Sequence, residues 1–119
     1  MTKRDLSGVW HFKEEFGYGV DEGKVTMHQN GQKLVGSMVY EERIDGDLPF
    51  VVCVDIEGLI TDEQVRFKGV AYEIFDVDDS NWQFNLEERM GTFVSDNRIE
   101  GTSIDVDGIE GKFVMTRNE

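Results

Sequence analysis

Two histidines, one cysteine and 25 aspartates and glutamates are the reactive groups of this chain of 119 residues. His11 and His28 fall on the outward phase of neighbouring predicted strands. A zinc site needs three or four ligands, and no third histidine or cysteine accompanies them, so both read as exposed histidines. Cys53 follows the apolar run Phe50-Val51-Val52 and reads as an inert strand thiol. A lone cysteine excludes an intrachain disulfide and any cysteine-rich metal centre. No Ser-His-Asp set has a spacing that would build a nucleophile. Glu14 and Glu88 share the predicted inward phase, and paired carboxylates can serve as acid and base. Nothing in their spacing sets a working distance. Asp76-Val77-Asp78-Asp79-Ser80-Asn81 carries aspartates at alternate positions, as calcium loops do. It lacks the central glycine and closing glutamate of an EF-hand. With Asp105-Val106-Asp107-Gly108 it reads more simply as a hairpin turn. The expectation is a protein that is not an enzyme, with no catalytic residue, no bound metal and no cofactor.

The elements that position these residues are strands. The chain has 14 valines and 7 isoleucines against one alanine, a balance that suits the pleated strand and disfavours the helix. The single proline, Pro49, lies in a loop, so nothing interrupts the ladders. No segment repeats apolar residues at helical spacing over three turns.

Alternation and turn residues divide the chain into eight strands. Strand one spans about Val9 to Phe16, with Trp10, Phe12, Glu14 and Phe16 on one face. Residues 17–23 read as a loop. Strand two, Lys24 to Gln29, turns Val25, Met27 and Gln29 inward, and Asn30-Gly31 marks a hairpin. Strand three, Leu34 to Glu42, places Leu34, Gly36, Met38 and Tyr40 inward. Strand four covers Phe50 to Ile60 and strand five Gln64 to Ile74, the latter with Val65, Phe67, Gly69 and Ala71 inward. Strand six runs from Trp82 to Glu88 with Trp82, Phe84 and Leu86 on one face, followed by a less regular stretch, 90–97. Strand seven, Arg98 to Asp105, and strand eight, Ile109 to Arg117, complete the set.

Every connection is too short for a helical crossover, so neighbours are antiparallel. A meander of eight such strands closes into an up-and-down barrel, which removes its edges. The fold class is therefore all-β, a single eight-stranded antiparallel barrel over residues 1–119. Gly36, Gly58, Gly69, Gly101 and Gly111 sit within strands, where glycine allows the coiling that closure requires.

Leu6-Ser7-Gly8-Val9-Trp10 matches the Gly-x-Trp opening of the calycin superfamily, the lipocalin-like barrels, and the chain resembles that family. The resemblance implies that Arg117, on the last strand, packs across Trp10 and closes the barrel end. It covers most of the chain by strand count and only a few positions by motif. Gln29-Asn30-Gly31 followed by Leu34-Val35-Gly36 is similar to small bacterial lipocalin-like domains of unknown function. The avidin family is a geometric relative. Its polar biotin contacts would fall on Phe12, Phe16 and Met38 here, and these cannot satisfy biotin's ureido ring.

An eight-stranded barrel is just wide enough to be filled by its own side chains or to hold one small ligand. The resemblance and the pattern together imply a binding barrel for an apolar or amphipathic molecule. Its contacts would be Phe12, Met27, Met38, Tyr40, Phe67 and Phe84, and polar groups for orientation would come from Glu14, Gln29, Tyr40, Glu73, Glu88 and Ser103. The alternative is a module with a packed lumen that works through its outer surface.

The net charge of −13 argues against nucleic acid and anionic membranes. No apolar run is long enough to span a bilayer as a helix, and no apolar stretch follows the first charges, so the expected location is cytoplasmic. The outward phase of strands three to five is apolar at Val35, Val39, Val51, Val70, Tyr72 and Ile74. Such a patch is usually covered, and a homodimer through these residues is expected.

Overall fold

The computed structural model of this chain describes residues 5–46, 48–61, 63–75 and 86–117. Its strands are β1 (Gly8–Phe16), β2 (Gly19–Asn30), β3 (Lys33–Ile44), β4 (Phe50–Ile60), β5 (Gln64–Phe75), β6 (Glu87–Ser95), β7 (Arg98–Asp105) and β8 (Glu110–Thr116). Each pairs antiparallel with the next, and β1 returns to β8 from His11↔Thr116 to Glu15↔Lys112. The eight strands form a closed up-and-down barrel, as the alternation and short connections require. The described residues contain no helix, and so none long and apolar enough to cross a membrane.

Closure forces backbones together at the glycines. A Cβ on Gly36 would collide with the carbonyl oxygen of Thr26 on β2, and one on Gly101 with that of Met90 on β6. Both are positions of strong strand coiling, which only glycine permits. At the β2–β3 hairpin, Asn30 pairs with Lys33 and the turn is Gly31-Gln32, with Gly31 at φ +64°. That backbone region is open to glycine at little cost.

The two ends of the barrel differ: one is sealed by apolar and stacked side chains, and the upper one is lined by ionisable groups. At the sealed end Leu6 lies across the bottom, fully buried, and accepts a hydrogen bond from Trp10 Nε1 to its carbonyl at 3.0 Å. Its own amide donates to Gln29 Oε1 at 2.8 Å. Gln29 therefore works at this end, not as a polar group in the lumen. The Arg117 guanidinium stacks over the buried Trp10 indole, 4.5 Å from the ring centroid. It also donates to Asn97 Oδ1 at 3.0 Å and to the Asp96 carbonyl at 3.2 Å. The first and last strands are thus latched by one side chain. Arg117→Ala should lower stability by about 1–2 kcal/mol, from the lost cation–π contact and partly solvated hydrogen bonds. Urea unfolding checks this, and an unchanged midpoint would deny the latch any role.

Above this floor Met27, Leu34, Ile60, Val65, Ile99 and Met115 form an apolar layer, all essentially inaccessible. Phe12, Met38, Phe67 and Phe113 make the next. Phe12 lies 6.0 Å from Phe113 and 5.8 Å from Tyr40 between ring centroids, and Phe67 meets Phe113 edge-on at 5.8 Å.

Three predicted strands differ from the observed ones. β2 starts at Gly19, so most of the expected loop 17–23 is strand, and the turn is Gly17-Tyr18. β6 occupies Glu87–Ser95, which includes most of the stretch read as irregular. Its inward residues are Arg89 and Gly91, while Glu88 is exposed. In β5 the pairing slips: Ile56 faces Gly69 and Asp55 faces Ala71, which leaves Val70 as a bulge. One extra residue moves every later side chain to the opposite face. Tyr72 and Ile74 consequently share the face of Val54 and Val52, and Ile74 packs against the core. Ala71 and Glu73 turn outward instead.

The bulge also narrows the expected dimer patch. Val35, Val39 and Val70 remain exposed and Val51 half-buried, whereas Tyr72 and Ile74 leave it. Charged residues interrupt what remains: Glu57 is opposite Val35, Glu41 opposite Val51 and Glu73 opposite Cys53.

Candidate functional site

Strand register carries a row of acids across the upper lumen. Glu14 on β1 is paired with Asp21 on β2, and Asp21 with Glu42 on β3. Directly paired residues share a face, so three carboxyls project inward side by side. Like charges placed this way repel. Opposite them β6 contributes Arg89 and Glu87, and Ser103 on β7 pairs with Arg89. Among the described residues, four carboxyls and one guanidinium therefore meet in the upper lumen of the barrel.

Arg89 organises the group. Its Nε donates to Glu14 Oε2 at 2.9 Å, and its Nη2 donates to Glu14 Oε1 at 3.2 Å and to Glu87 Oε2 at 3.1 Å. Its guanidinium carbon sits 5.1 Å from the Phe12 ring centroid and 6.0 Å from that of Phe67. The ion pair therefore rests on the aromatic layer as a lid. Arg89 and Glu14 are buried, and a charge in that position persists only when it is paired.

Burial by itself would raise the Glu14 carboxyl, but the charge and hydrogen bonds of Arg89 outweigh it and hold Glu14 below the ordinary glutamate value. Burial likewise works against the Arg89 charge, and Glu14 and Glu87 more than offset it, so Arg89 is held cationic. Asp21 has no such partner. Burial, the charge of Glu42 and its proximity push Asp21 up to about 10. Burial and the neighbouring Glu14 push Glu87 up to about 8 despite Arg89. Burial raises Glu42 too. Asp21 is completely inaccessible, and neither of its carboxyl oxygens has a hydrogen-bond partner of normal geometry.

The structure brings most of the sequence-predicted contacts together. Phe12, Met27, Met38, Tyr40 and Phe67 all face the lumen and are buried, with Met27 deepest, in the layer above the sealed end. Phe84 and Trp82 lie outside the described residues, as does the acidic stretch 76–81. Glu14, Tyr40 and Ser103 occupy the inward positions expected of them. Glu73 and Glu88 do not, because the β5 bulge and the phase of β6 turn them to solvent. The acid–base pair imagined between Glu14 and Glu88 therefore does not exist, and the partner of Glu14 is Arg89. His11 is bound to Glu22 at 2.9 Å on the outer wall.

Asp21, Glu42, Glu87 and Arg89 escaped the sequence reading. Extending strand two backwards through Gly23 to Asp21 would have found one of them, and carrying the inward phase of strand three past Tyr40 to its last residue would have found Glu42. Two concavities, of about 660 and 890 Å³, are lined mostly by outward-facing residues, and the first also borders Phe67, Arg89 and Ser103. The first is lined in part by Leu59, Arg66, Lys68, Met90 and Ile104, the second by Lys13, Phe16, Glu41 and Lys112.

No protein-family model matches the chain. No curated protein matches it in sequence either. Its fold is similar to solved β-barrels of designed origin. A redesigned barrel, mFAP1, bound to DFHBI, shares 14% identity at a TM-score of 0.66, with 94% of each chain covered. A second redesigned barrel, b11L5F_LGL, shares 12% identity at a TM-score of 0.66 over 100% of both chains. A fluorescence-activating β-barrel designed de novo shares 17% identity at a TM-score of 0.56, with 95% of this chain and 94% of that one covered. At such identities the likeness is one of fold.

Proposed function

We propose that this chain is a lipocalin-like binding barrel, without catalytic activity, that takes a small amphipathic molecule in the upper part of its lumen. The observation that carries this reading is the division of the lumen. An aromatic layer of Phe12, Phe67 and Phe113 lies beneath Tyr40, Ser103 and a set of ionisable groups. Apolar walls with a few convergent polar groups are the usual make-up of a small-molecule site. The Gly8-Val9-Trp10 opening and the Arg117 stack support placing the chain with the calycins. Barrels of this shape can hold a ligand, as mFAP1 holds DFHBI.

Native mass spectrometry of the protein from its own source tests the proposal. The expected result is a species heavier than 13.6 kDa that loses its extra mass on denaturation. A second arm titrates the purified chain with Nile red, a neutral environment-sensitive dye, and expects saturable enhancement with one dye per chain. The bare chain mass together with no saturable enhancement would reject this reading in favour of a packed module. That second reading has its own support: the Phe12–Phe113 stack is closed over by Arg89, and both concavities described above are lined mostly by outward-facing residues. A homodimer through Val35, Val39, Val51 and Val70 belongs to either version. Sedimentation at micromolar concentration should show twice the chain mass, and a monomer indifferent to Val39→Glu would exclude the dimer.

A further inference from the structure

The carboxylates of the upper lumen outnumber their cation, and one of them has no partner. One oxygen each from Glu14, Asp21 and Glu87 lie within 4.8 Å of one another. Asp21 is wholly inaccessible, belongs to this group, and leaves both oxygens without a hydrogen bond. A buried polar group in that state calls for an explanation, and an ion that the group was shaped to receive is one.

We propose that Glu14, Asp21 and Glu87 form a site for one hard divalent cation, calcium being the best fit, in the upper lumen. This goes beyond the ligand-binding reading and does not depend on it.

The donor chemistry favours a hard ion. All three donors are carboxylate oxygens, with no histidine or cysteine among them, and oxygen-only sets suit calcium, magnesium and manganese over zinc or copper. The spacing favours calcium among these. Its oxygens stand at about 2.3–2.6 Å from the metal in flexible geometry, so two ligand atoms on opposite sides can be nearly 5 Å apart. Magnesium requires about 2.1 Å and near-octahedral order, which would demand a tighter cluster.

Charge favours a dication. On binding, one divalent ion would take the place of the two protons that Asp21 and Glu87 otherwise hold, so the charge of the group is unchanged while Arg89 continues to balance Glu14. Arg89 and the ion would share Glu14 between them, with Arg89 fixing the carboxylate as second-tier hydrogen bonds fix metal ligands elsewhere. Glu87, whose side chain keeps 15% of its exposure, and Glu42 mark the way in from solvent.

The test uses the full chain stripped with chelator and titrated separately with calcium chloride, magnesium chloride and n-butylammonium chloride by calorimetry, with Tm followed in parallel. The expected result is one calcium per chain, bound more tightly than magnesium, with a rise in Tm. Asp21→Asn and Glu87→Gln should each weaken calcium at least tenfold, while Glu57→Gln on the outer wall leaves it unchanged. Circular dichroism establishes that the variants are folded, and either lumen variant suffices if the other is not. Absence of calcium binding would overturn the proposal. So would several weak equivalent sites following the surface charge of −13, or a site indifferent to both lumen substitutions. Saturable butylammonium binding without calcium binding would instead assign the cluster to an amine and equally overturn the metal.

Discussion

Replacing Arg89 with methionine should remove about 3–5 kcal/mol of folding stability, the usual cost of leaving one member of a buried ion pair behind. Arg89 is 3% exposed and bonds Glu14 through two nitrogens, and Glu14 is completely inaccessible. Without the guanidinium, Glu14 faces Asp21 and Glu42 across the same row with no positive charge among the described lumen residues. It must then take up a proton or stay buried and unpaired. Methionine retains the length needed to cover Phe12 and Phe67, so the loss reports charge more than volume. A domain of this kind has only about 5–15 kcal/mol in total, so the single change removes a large share. The double variant Glu14→Gln with Arg89→Met should recover most of it, since buried ion pairs are often replaceable by neutral groups. Urea denaturation of the four proteins in the cycle measures the coupling. A single variant costing under about 1 kcal/mol, or a double variant no better than the single, would mean the pair does not hold the upper barrel together.

In metal-free buffer, stability should fall steadily as pH rises from about 5 to 9. The sign follows from which state binds protons more tightly. Burial raises Asp21 to about 10 and Glu87 to about 8, and it raises Glu42 as well. In the unfolded chain these carboxyls titrate near the ordinary value of about 4. Between the two values the folded state holds protons that the unfolded state has released. Each full proton of difference therefore removes about 1.4 kcal/mol per pH unit as pH rises. The contribution of Glu87 is lost by about pH 8, and that of Asp21 continues to fall towards pH 10. Glu14 runs the other way. Its folded value is depressed, so its stabilisation is present above the unfolded value and is lost as pH falls through the folded one. Together these place the optimum near pH 5, on the acidic side of the range common for globular proteins. Neighbouring carboxyls titrate together and release less than two independent protons would, so the expected fall by pH 9 is on the order of 5 kcal/mol, with a drop in Tm on the order of 20 °C. Asp21→Asn should flatten the curve above pH 8 and make the variant the more stable protein at pH 9. A profile flat from pH 5 to 9, or a variant curve parallel to that of the parent, would show that Asp21 does not titrate in this way.

Local pattern by itself determined the architecture of this protein. Alternation between apolar and polar residues has the period of the strand, and Gly31, Gly46 and Gly108 mark turns by adopting positive φ, so strand number and antiparallel order were legible in the sequence. The Trp10–Arg117 latch was legible too, through the resemblance carried by Gly8-Val9-Trp10. So were Phe12, Met38, Tyr40 and Phe67 as lumen residues, because an apolar side chain on the inward phase announces itself.

The acidic group of the upper lumen was decided by the tertiary structure. Asp21 sits in a stretch, 17–23, with three glycines and two acids, which resembles a loop, and only pairing with β1 and β3 makes it strand. A lumen lined by polar residues has no apolar signal to reveal its phase. Arg89 was hidden for a related reason: the phase carried forward from Trp82, Phe84 and Leu86 assigns position 88 inward, whereas β6 turns Arg89 and Gly91 in. The Val70 bulge left no mark in local preference, since valine suits either face, and only the register against β4 shows the extra residue. The ion pair between Glu14 and Arg89 joins residues 75 apart in the chain. Barrel closure brings them together, and no spacing rule within either strand encodes that meeting.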